Sequence, residues 1–294
     1  MDISLVIVSY NGREHLRRCL ASLLAHPPVA EREVIVVDND SADGSADMVA
    51  RDFPGVRLLR MRRNLGFAAG ANRGIREATG EALVLLNPDS EIEADPFASM
   101  LAYLREHVEA GIVAPRLLNP DGSLQLSCRR FPTFSVALFN RYSLFTRLFP
   151  HNRYSRQYLL SDWQHDSISE VDWVSGACLM VRRSILERIG LLDEGYFMYI
   201  EDVDLCQRVH RAGAKVVYYP AVSVIHHIGK SSRTLAGRSI MARHRSMWHY
   251  YKKYLRQNAV VDVAVAGGIA TRCSYLLAAN QLRRAMSREE SEAD

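Results

Sequence analysis

Two short stretches of this sequence carry carboxylates at positions where they could hold a cation or accept a proton. Asn87-Pro88-Asp89 follows a run of apolar residues and ends it abruptly, and the stretch from Glu201 to Asp204 has three carboxylates in four positions. Carboxylate oxygens are preferred ligands of Mg²⁺, and positioned carboxylates are common general bases. The first stretch would leave Asp89 at the end of a strand, where open α/β folds bind ligands, and the clustered acids of the second stretch suit a general base.

Each stretch also has a structural interpretation. Asn, Pro and Asp favour turns for reasons of backbone geometry alone. A helix beginning near Glu201 would place Asp202 and Asp204 in its first turn, where the helix dipole stabilises negative charge. Stabilisation by the helix dipole explains one or two of the three acids. The choice between a structural and a functional role therefore depends on the rest of the chain.

Two adjacent histidines, His226 and His227, end a predicted strand over residues 222–225. Neighbouring side chains of a strand point to opposite faces, so at most one of the two can serve a given site. A histidine at a strand end is commonly structural. If a cation lies at Asp89, however, the aspartate, one histidine and diphosphate oxygens complete a divalent-metal site.

The elements that must position these residues alternate between strands and helices. Apolar runs predict strands at residues 3–10, 34–37, 56–59 and 83–86, with helical spacing of apolar residues between them. This alternation is typical of parallel βαβ units, whose strand ends meet at one edge of the sheet and bind ligands there. The polar residues at these strand ends are Ser9, Tyr10, Asn11, Asp38, Asn39, Asp40, Asn87 and Asp89.

The glycine patterns of common nucleotide-binding proteins are missing. Ser9-Tyr10-Asn11-Gly12 follows the first strand in place of the Gly-x-Gly-x-x-Gly turn of nicotinamide-dependent dehydrogenases, and no Walker phosphate loop occurs. A nucleotide bound at this edge would need a cation to neutralise its phosphates. A separate glycine pattern, Gly66, Gly70 and Gly74, lies on one face of the helix that Asn64-Leu65-Gly66 precedes.

The pattern weakens between Cys128 and Glu170. Basic residues at 129–130 precede a series of aromatic residues (Phe131, Phe134, Phe139, Tyr142, Phe145, Phe149 and Tyr154). The stretch is either an irregular lid with a small core of its own or a surface for an acceptor that carries phosphate and lipid. Residues 171–181 then predict one strand, in which Gly176 marks a bulge or the close approach of a ligand.

Composition limits the partners. The chain has 294 residues and a net charge of +4, which is too mild for a nucleic-acid-binding protein. Five scattered cysteines predict neither disulfides nor a zinc site and fit a reducing compartment. The first residues enter a strand without a positively charged leader, so we expect no signal peptide. Eleven Lys and Arg but no acid lie between Asp204 and Asp262, which indicates a local surface for phosphate or anionic lipid.

The basic region includes a predicted amphipathic helix from Ser239 to Arg256. Its apolar stripe is expected to consist of Ile240, Met241, Met247, Trp248, Tyr251 and Leu255. The helix either packs on the preceding domain or lies on an anionic membrane. Residues 259–279 are apolar but include Asp262, a glycine pair and Arg272, which favours an interfacial helix over a membrane span.

Taken in order, the motifs resemble those of glycosyltransferase family 2, particularly its bacterial rhamnosyltransferase-like branch, over residues 3 to about 255. They are Val8-Ser9-Tyr10-Asn11, Val37-Asp38-Asn39-Asp40-Ser41, Asn64-Leu65-Gly66-Phe67-Ala68-Ala69-Gly70, Leu86-Asn87-Pro88-Asp89, Asp172-Trp173-Val174-Ser175-Gly176-Ala177, Glu201-Asp202-Val203-Asp204-Leu205 and His226-His227-Ile228-Gly229-Lys230-Ser231-Ser232. The ordered set is highly specific to the family and less specific to the branch.

The resemblance implies the GT-A fold, an α/β architecture with a mixed sheet flanked by helices, and a helical C-terminal extension. It implies a role for most of the site residues. The implied nucleotide-sugar-binding residues are Ser9, Tyr10, Asn11, Asp38, Asn39, Asp40, Asn64, Gly66, Asn87 and Asp89. Asn87 stands where the family has the first Asp of its metal motif, which leaves Asp89 as the metal-binding carboxylate, with His226 completing the shell of Mg²⁺ or Mn²⁺. Asp202 matches the catalytic base, and Trp173, Gly176 and Glu201 lie on the acceptor side.

The implied reaction is transfer from a dTDP- or UDP-linked sugar to a glycan or polyprenyl-linked acceptor. Because no second positioned nucleophile is evident, we expect a single displacement that inverts the anomeric carbon. Rhamnose is one candidate sugar; galactofuranose, glucose and N-acetylglucosamine are others. A catalytically silent nucleotide-sugar-binding protein is an alternative of another class.

The expected organisation is a GT-A catalytic domain over residues 1–235 and a basic amphipathic helical extension over 236–294. Within the domain, residues 1–90 are expected to bind the nucleotide sugar and residues 91–235 the acceptor. We expect a cytoplasmic protein, located on the inner face of the plasma membrane if the extension binds lipid.

Overall fold

Parallel strands form the N-terminal half of the central sheet. The computed structural model describes residues 1–133, 153–227 and 236–293. Its first elements are β1 (Ile3–Ser9), α1 (Arg13–Ala25), β2 (Arg32–Asp38), α2 (Ser45–Asp52), β3 (Arg57–Arg60), α3 (Phe67–Glu77) and β4 (Ala82–Leu86). Strands β1 to β4 pair in parallel in the order β3-β2-β1-β4, as the alternation of strands and helices predicts.

The parallel register brings the polar strand ends together. Ser9 pairs with Asp38 across β1 and β2, and Ile7 pairs with Leu86 across β1 and β4. Strands β1 and β4 are buried along their whole length, and their alternate residues contribute to two hydrophobic clusters. On one face α3 packs closely on β1, since a Cβ at Gly74 would lie 2.4 Å from Val6. This contact is the structural reason for the glycine face of α3.

The second half of the domain adds mostly antiparallel strands. Its elements are β5 (Ser90–Glu91), α4 (Phe97–Glu106), β6 (Ala110–Leu118), β7 (Leu124–Gln125), β8 (Cys128–Arg129), α5 (Arg153–Leu159), β9 (Ser169–Glu170), β10 (Trp173–Val174), β11 (Cys178–Arg182), α6 (Arg183–Ile189), α7 (Glu201–Arg211) and β12 (Lys215–His226). In the described residues the main sheet continues from β4 through β11, β6 and β12 to β5.

The prediction of one bulged strand over residues 171–181 is wrong. Strand β10 pairs with β8 in a separate two-stranded sheet, whereas β11 pairs with β4 in the main sheet. The chain changes sheets at Ser175–Ala177, and Gly176 lies in this turn. The aromatic residues from Phe134 to Phe149 of the predicted lid or acceptor surface lie outside the described residues, as do residues 228–232 of the last family motif.

The C-terminal extension consists of helices. Helix α8 (Ala236–Tyr250) continues as one π-helical turn (Tyr251–Leu255), and helix α9 (Ala259–Ala293) follows. The predicted apolar stripe is confirmed only in part: Met241 is exposed, and Ile240, Met247, Trp248 and Leu255 are half-buried. The buried residues of α8 are Ala242, His244, Ser246 and Tyr250. The burial of Tyr251 agrees with the prediction.

Helix α9 is longer than predicted. Within the described residues, its stretch Ala259–Leu282 is long and apolar enough to cross a membrane, and the stretch is not buried against the rest of the chain. Its length and composition therefore permit a spanning helix as well as the interfacial helix that the sequence favoured.

Candidate active site

Asp89 and His226 lie side by side although 137 positions separate them in the sequence. Strand β5 pairs antiparallel with the end of β12, so that Ser90 is opposite His226. The pairing places Nε2 of His226 3.3 Å from Oδ1 of Asp89, and both residues are largely buried. The metal-binding pair predicted from the sequence is thus brought together in space.

Gln125 determines which ring nitrogen of His226 is free. Its Oε1 lies 3.1 Å from Nδ1 of His226, and its Nε2 donates to the backbone oxygen of the same histidine at 2.6 Å. An amide oxygen can only accept, so Nδ1 carries a proton and Nε2 is the ring nitrogen that could bind a cation beside Asp89. Metal-binding histidines are typically held in this way by their second nitrogen. The sequence analysis missed Gln125, because a single glutamine in a short strand gives no signal.

This pair fits a divalent cation that is held together with the donor. The described residues contain no group of three or more His, Cys, Asp or Glu side chains that could hold a metal by themselves. Mg²⁺ is commonly bound by one or two carboxylates, with the remaining positions taken by water and substrate phosphates. Asp89 and the oriented Nε2 of His226 supply such a partial set, and Asn87 Nδ2 lies 3.4 Å from the same nitrogen.

A short backbone connection joins the metal pair to the predicted base. The N–H of Asn87 donates to the oxygen of Ala177 at 2.8 Å, and the N–H of the preceding Gly176 donates to Oδ2 of Asp202 at 2.9 Å. A Cβ at Gly176 would lie 3.4 Å from Cβ of Asp202, an ordinary van der Waals contact, so the turn lies directly against this side chain. The turn at Gly176 therefore positions Asp202 beside the metal motif.

Asp202 and Glu201 begin helix α7, as the sequence predicts. Oδ1 of Asp202 accepts the N–H of Val203 at 2.8 Å, in addition to the bond from Gly176. Glu201 is buried, and its Oε2 has no hydrogen-bond partner among the described residues. The two neighbouring acids thus differ in their environments.

Burial raises the pKa of both carboxyl groups. For Glu201 the adjacent Asp202 charge adds to the effect of burial, and its pKa lies well above the usual value. For Asp202 burial is opposed by the N–H groups of Gly176 and Val203 and by the Arg129 guanidinium, although the net pKa remains raised. Glu201 therefore retains its proton more readily, while Asp202 takes the negative charge. An anionic carboxylate with a raised pKa is suited to accept a proton.

Glu201→Gln is expected to stabilise the protein at neutral and alkaline pH. The folded-state pKa of Glu201 exceeds its unfolded value, so stability is greatest at low pH and falls as the pH rises from the unfolded to the folded pKa. Because glutamine cannot ionise, the variant does not lose stability in this pH range. We expect a melting temperature about 2–4 °C above that of the parent at pH 8, and none of this gain near pH 4.

Thermal unfolding across this pH range measures the effect. Glu106→Gln is the control, because Glu106 is an exposed glutamate at the end of α4. An equal gain in melting temperature at pH 4 and pH 8 would contradict the raised pKa of Glu201.

The donor side contains unsatisfied polar atoms. Asp38 is buried and accepts the N–H of Ser41 through Oδ2, but its Oδ1 has no partner among the described residues. Oγ of Ser9, which lies opposite Asp38 in the sheet, is also buried and has no hydrogen-bond partner among the described residues. Buried polar atoms of this kind often interact with a ligand or water. Both atoms are therefore candidates for donor contacts.

The loops that follow β1 and β2 are joined to each other. Oδ1 of Asn11 accepts the N–H of Ala42 at 2.8 Å, and the N–H of Asn11 donates to Oγ of Ser41. Asn11 and Asp40 are exposed and have positive φ angles of 51° and 69°. Tyr10 is half-buried beside them. The predicted nucleotide-binding residues thus form one continuous rim.

Asn39 is engaged in internal bonds. Its Nδ2 donates to Asn64 Oδ1 and to the Gly66 oxygen, both at 3.0 Å, and its Oδ1 accepts the N–H of Leu65. The predicted residues Asn39, Asn64 and Gly66 therefore form one network that fixes the loop before α3. Asn39 and Asn64 thus hold each other in place through the bond between their side chains.

Gly66 occupies a position that other residues would not tolerate. Its φ is +91°, and a Cβ would lie 2.2 Å from the Phe197 oxygen. That oxygen accepts the N–H of Phe67 at 2.7 Å. The loop on the donor side is thereby attached to the segment that precedes Asp202.

Trp173 belongs to the residues that the family resemblance places on the acceptor side. The residue is buried, and its Nε1 donates to the Arg130 oxygen at 2.8 Å. The guanidinium of Arg129 lies 5.3 Å from the Trp173 ring and 5.9 Å from the Tyr158 ring. The indole N–H of Trp173 is therefore already bonded within the protein. Arg129 brings a positive charge near Asp202, a role that the sequence analysis did not assign.

Comparison with known families identifies the domain. The model of "Glycosyl transferase family 2" matches residues 4–190, and that of "Glycosyl transferase family group 2" matches residues 128–274. An N-acetylglucosaminyl-diphospho-decaprenol L-rhamnosyltransferase of Mycobacterium tuberculosis is 32% identical over 304 residues, covering 98% of this chain and 96% of that protein. The rhamnosyltransferase WbbL of Escherichia coli is 24% identical, covering 84% of this chain and 92% of that protein.

The fold matches solved structures. A mannosyltransferase from Pyrobaculum calidifontis, in complex with GDP-Man and Mn²⁺, superposes with a TM-score of 0.58 at 18% identity, covering 98% of this chain and 75% of that structure. At this identity the likeness shows the fold alone. The mixed sheet flanked by helices is the GT-A fold that the motifs predict, and the chain belongs to glycosyltransferase family 2.

Proposed function

We propose that this protein is an inverting, metal-dependent glycosyltransferase that acts in cell-surface polysaccharide synthesis. It transfers a sugar, in the first place rhamnose, from a nucleoside diphosphate to a hydroxyl of a lipid-linked glycan. One observation carries the proposal. The turn at Gly176–Ala177 bonds both to Asp202 and to Asn87 of the metal motif, so that a proton acceptor adjoins a diphosphate site.

In this mechanism Asp202 removes the proton from the acceptor hydroxyl. Its carboxylate is oriented by the N–H groups of Gly176 and Val203 and can take the proton because its pKa is raised. Asp89 and His226 would hold Mg²⁺ or Mn²⁺, which when bound stabilises the charge that develops on the leaving diphosphate. A single displacement from the face opposite the leaving group inverts the anomeric carbon.

Several relatives support the choice of substrates. The Mycobacterium tuberculosis relative is named for an L-rhamnosyl group and an N-acetylglucosaminyl-diphospho-decaprenol. A Shigella flexneri protein that is 26% identical over 254 residues is named a dTDP-rhamnosyl transferase. Transferred to this chain, these names point to dTDP-L-rhamnose as donor and to a polyprenyl-diphosphate-linked N-acetylglucosamine as acceptor. UDP-linked galactofuranose, glucose and N-acetylglucosamine are the competing donors.

A transfer assay with these substrates tests the proposal. The purified chain is incubated with Mn²⁺, N-acetylglucosaminyl-diphospho-prenol and each donor in turn. We expect a rhamnosylated lipid from dTDP-L-rhamnose, with the anomeric configuration inverted in the NMR spectrum of the product. Transfer from one of the other donors, and not from dTDP-L-rhamnose, would show that rhamnose is not the transferred sugar. Donor binding without transfer or hydrolysis of any donor would instead support a silent nucleotide-sugar-binding protein.

We further propose that the C-terminal extension attaches the enzyme to the inner, anionic face of the plasma membrane. Helix α9 exposes apolar side chains, with Val260 at 80% and Val263 at 72% of their maximal exposure. Exposed basic residues of α8 and the following turn, among them Arg243, Arg245 and Lys252, add attraction to anionic lipid. A membrane position would also bring the site close to a lipid-linked acceptor.

Replacing Val260 and Val263 together with Glu is expected to weaken binding to anionic vesicles by about tenfold or more, because two apolar side chains lose their burial in lipid. Co-sedimentation of the full chain with phosphatidylglycerol vesicles measures the effect. The control is Leu24→Glu with Val29→Glu, which changes exposed apolar residues of the catalytic domain. Equal sedimentation of all three proteins would exclude α9 as the lipid-binding element.

A further inference from the structure

The segment before the catalytic helix has an unfavourable backbone conformation. Tyr199 and Ile200 both have φ angles of 72° and immediately precede Glu201 and Asp202. Positive φ is rare for residues other than glycine and is particularly unfavourable for a β-branched side chain such as that of Ile200. Surrounding contacts must therefore hold this segment in place.

The contacts come from the C-terminal extension. Oγ of Ser246 on α8 donates to the Met198 oxygen at 2.9 Å. The guanidinium of Arg243 lies 4.4 Å from the centre of the Tyr199 ring. One contact holds the backbone at Met198 and the other holds the side chain of Tyr199, the first residue with a positive φ angle.

Lys253 links the extension to two carboxylates. Its Nζ lies 2.6 Å from Oδ2 of Asp193 and 2.7 Å from Oδ1 of Asp204. Asp204 is completely buried within α7, where Arg208 also binds it and Tyr254 donates to it at 2.7 Å. Burying a carboxylate is costly unless paired charges and hydrogen bonds compensate for its lost hydration. Lys253 thus bridges the two ends of the segment from Asp193 to Asp204, which includes Asp202.

The same segment also reaches the donor side. The Phe197 oxygen accepts the N–H of Phe67, directly after Gly66. One segment therefore carries the proposed base at one end and bonds to the loop of the donor side near its middle. A contact that fixes this segment fixes the base relative to the donor.

We propose that Lys253 of the C-terminal extension is a positioning residue for glycosyl transfer, because its bridge between Asp193 and Asp204 holds the Tyr196–Asp204 segment in the conformation that presents Asp202. The inference rests on the proposed role of Asp202 as the base. It assigns the extension a function in catalysis that is independent of any membrane contact.

Lys253→Met tests the bridge. We expect kcat with dTDP-L-rhamnose and N-acetylglucosaminyl-diphospho-prenol to fall by about tenfold or more, because small displacements of a catalytic group are costly. The KM for the donor should change less than about twofold, since the donor-binding residues remain in place. Deuterium exchange should increase in the peptide that covers residues 196–204.

Two further variants make the test specific. Lys253→Arg retains the charge and is expected to recover most of kcat. Lys215→Met is the control: it removes an exposed lysine at the start of β12, whose Nζ lies 3.7 Å from Oε2 of Glu170, and should leave kcat and exchange unchanged. Tyr254→Phe removes one bond to Asp204 and is expected to lower kcat less than Lys253→Met does.

The outcomes separate a positioning role from a structural one. A lower melting temperature of Lys253→Met with unchanged kcat would overturn the proposal, as would unchanged exchange over residues 196–204. Equal loss of kcat in Lys253→Arg and Lys253→Met would also contradict it. Failure of the proposed function is recognised separately, since Asp202→Asn would then remain active. Normal kcat in Lys253→Met beside an inactive Asp202→Asn would reject the bridge alone.

Discussion

Replacing Asp202 with Asn is expected to lower kcat by about 10²–10⁴-fold, the usual contribution of a positioned general base. Asparagine keeps the size of the side chain, and its oxygen can still accept the N–H of Gly176. It cannot take up the acceptor proton at neutral pH. The donor should therefore bind with nearly unchanged affinity while transfer is lost.

Steady-state transfer and titration calorimetry with dTDP-L-rhamnose measure the two quantities. The control is Asp47→Asn, which changes an exposed carboxylate of α2 that pairs with Arg60. In the unmodified protein, kcat/KM should rise with pH as Asp202 loses its proton, at a pH above the usual carboxyl range because burial raises the Asp202 pKa. Normal turnover by Asp202→Asn would show that another group is the base.

The second large effect is expected at Asp89. Asp89→Ala removes the carboxylate of the metal pair and should lower transfer and Mn²⁺-dependent donor affinity by about 100-fold. His226→Ala should have a similar effect, and the double variant should lose less than the sum of the two free-energy changes, because both residues hold the same ion. Chelation of divalent cations by EDTA should stop transfer by the parent protein.

His227→Ala is the matched control for the metal pair. His227 directly follows the last residue of β12, and its Nε2 lies 3.0 Å from Oε1 of Glu91. Its backbone N–H donates to the Asp89 oxygen at 2.9 Å, a bond that the alanine variant keeps. We expect donor affinity and its response to Mn²⁺ to change little. Gln125→Leu should weaken Mn²⁺ binding by about tenfold, since it frees the ring of His226. Full activity in excess EDTA would refute the metal role of Asp89.

The parallel half of the fold could be predicted from the sequence because each of its strands has a local pattern of residues. Each of the strands β1, β2 and β4 is a nearly continuous apolar run that ends in polar residues. Parallel strands necessarily present those ends at one edge. Asp38 and Asp89 could therefore be placed at a common site before any contact was known. The start of α7 was also predictable, since acids cluster in its first turn.

Predictions that depended on long-range packing were less successful. The apolar residues of 171–181 favour one strand, but the chain leaves one sheet at Val174 and enters another at Cys178. Along α8, hydrophobicity suggested a stripe that includes Met241, whereas Ser246 lies in the buried face because its hydroxyl bonds to Met198. Hydrophobicity alone does not identify the polar residues that packing buries.

By itself the sequence determined the family, the sheet edge and the residue types of the site. Only the tertiary structure decided their partners. Antiparallel pairing of β5 with β12 joins Asp89 to His226, Gln125 fixes the histidine ring, and Lys253 reaches Asp204 from the C-terminal extension. These pairs are separated by tens to more than a hundred positions, and their contact depends on the path of the whole chain. Local periodicity reports which face of an element is buried, but it does not specify which distant residue lies against that face.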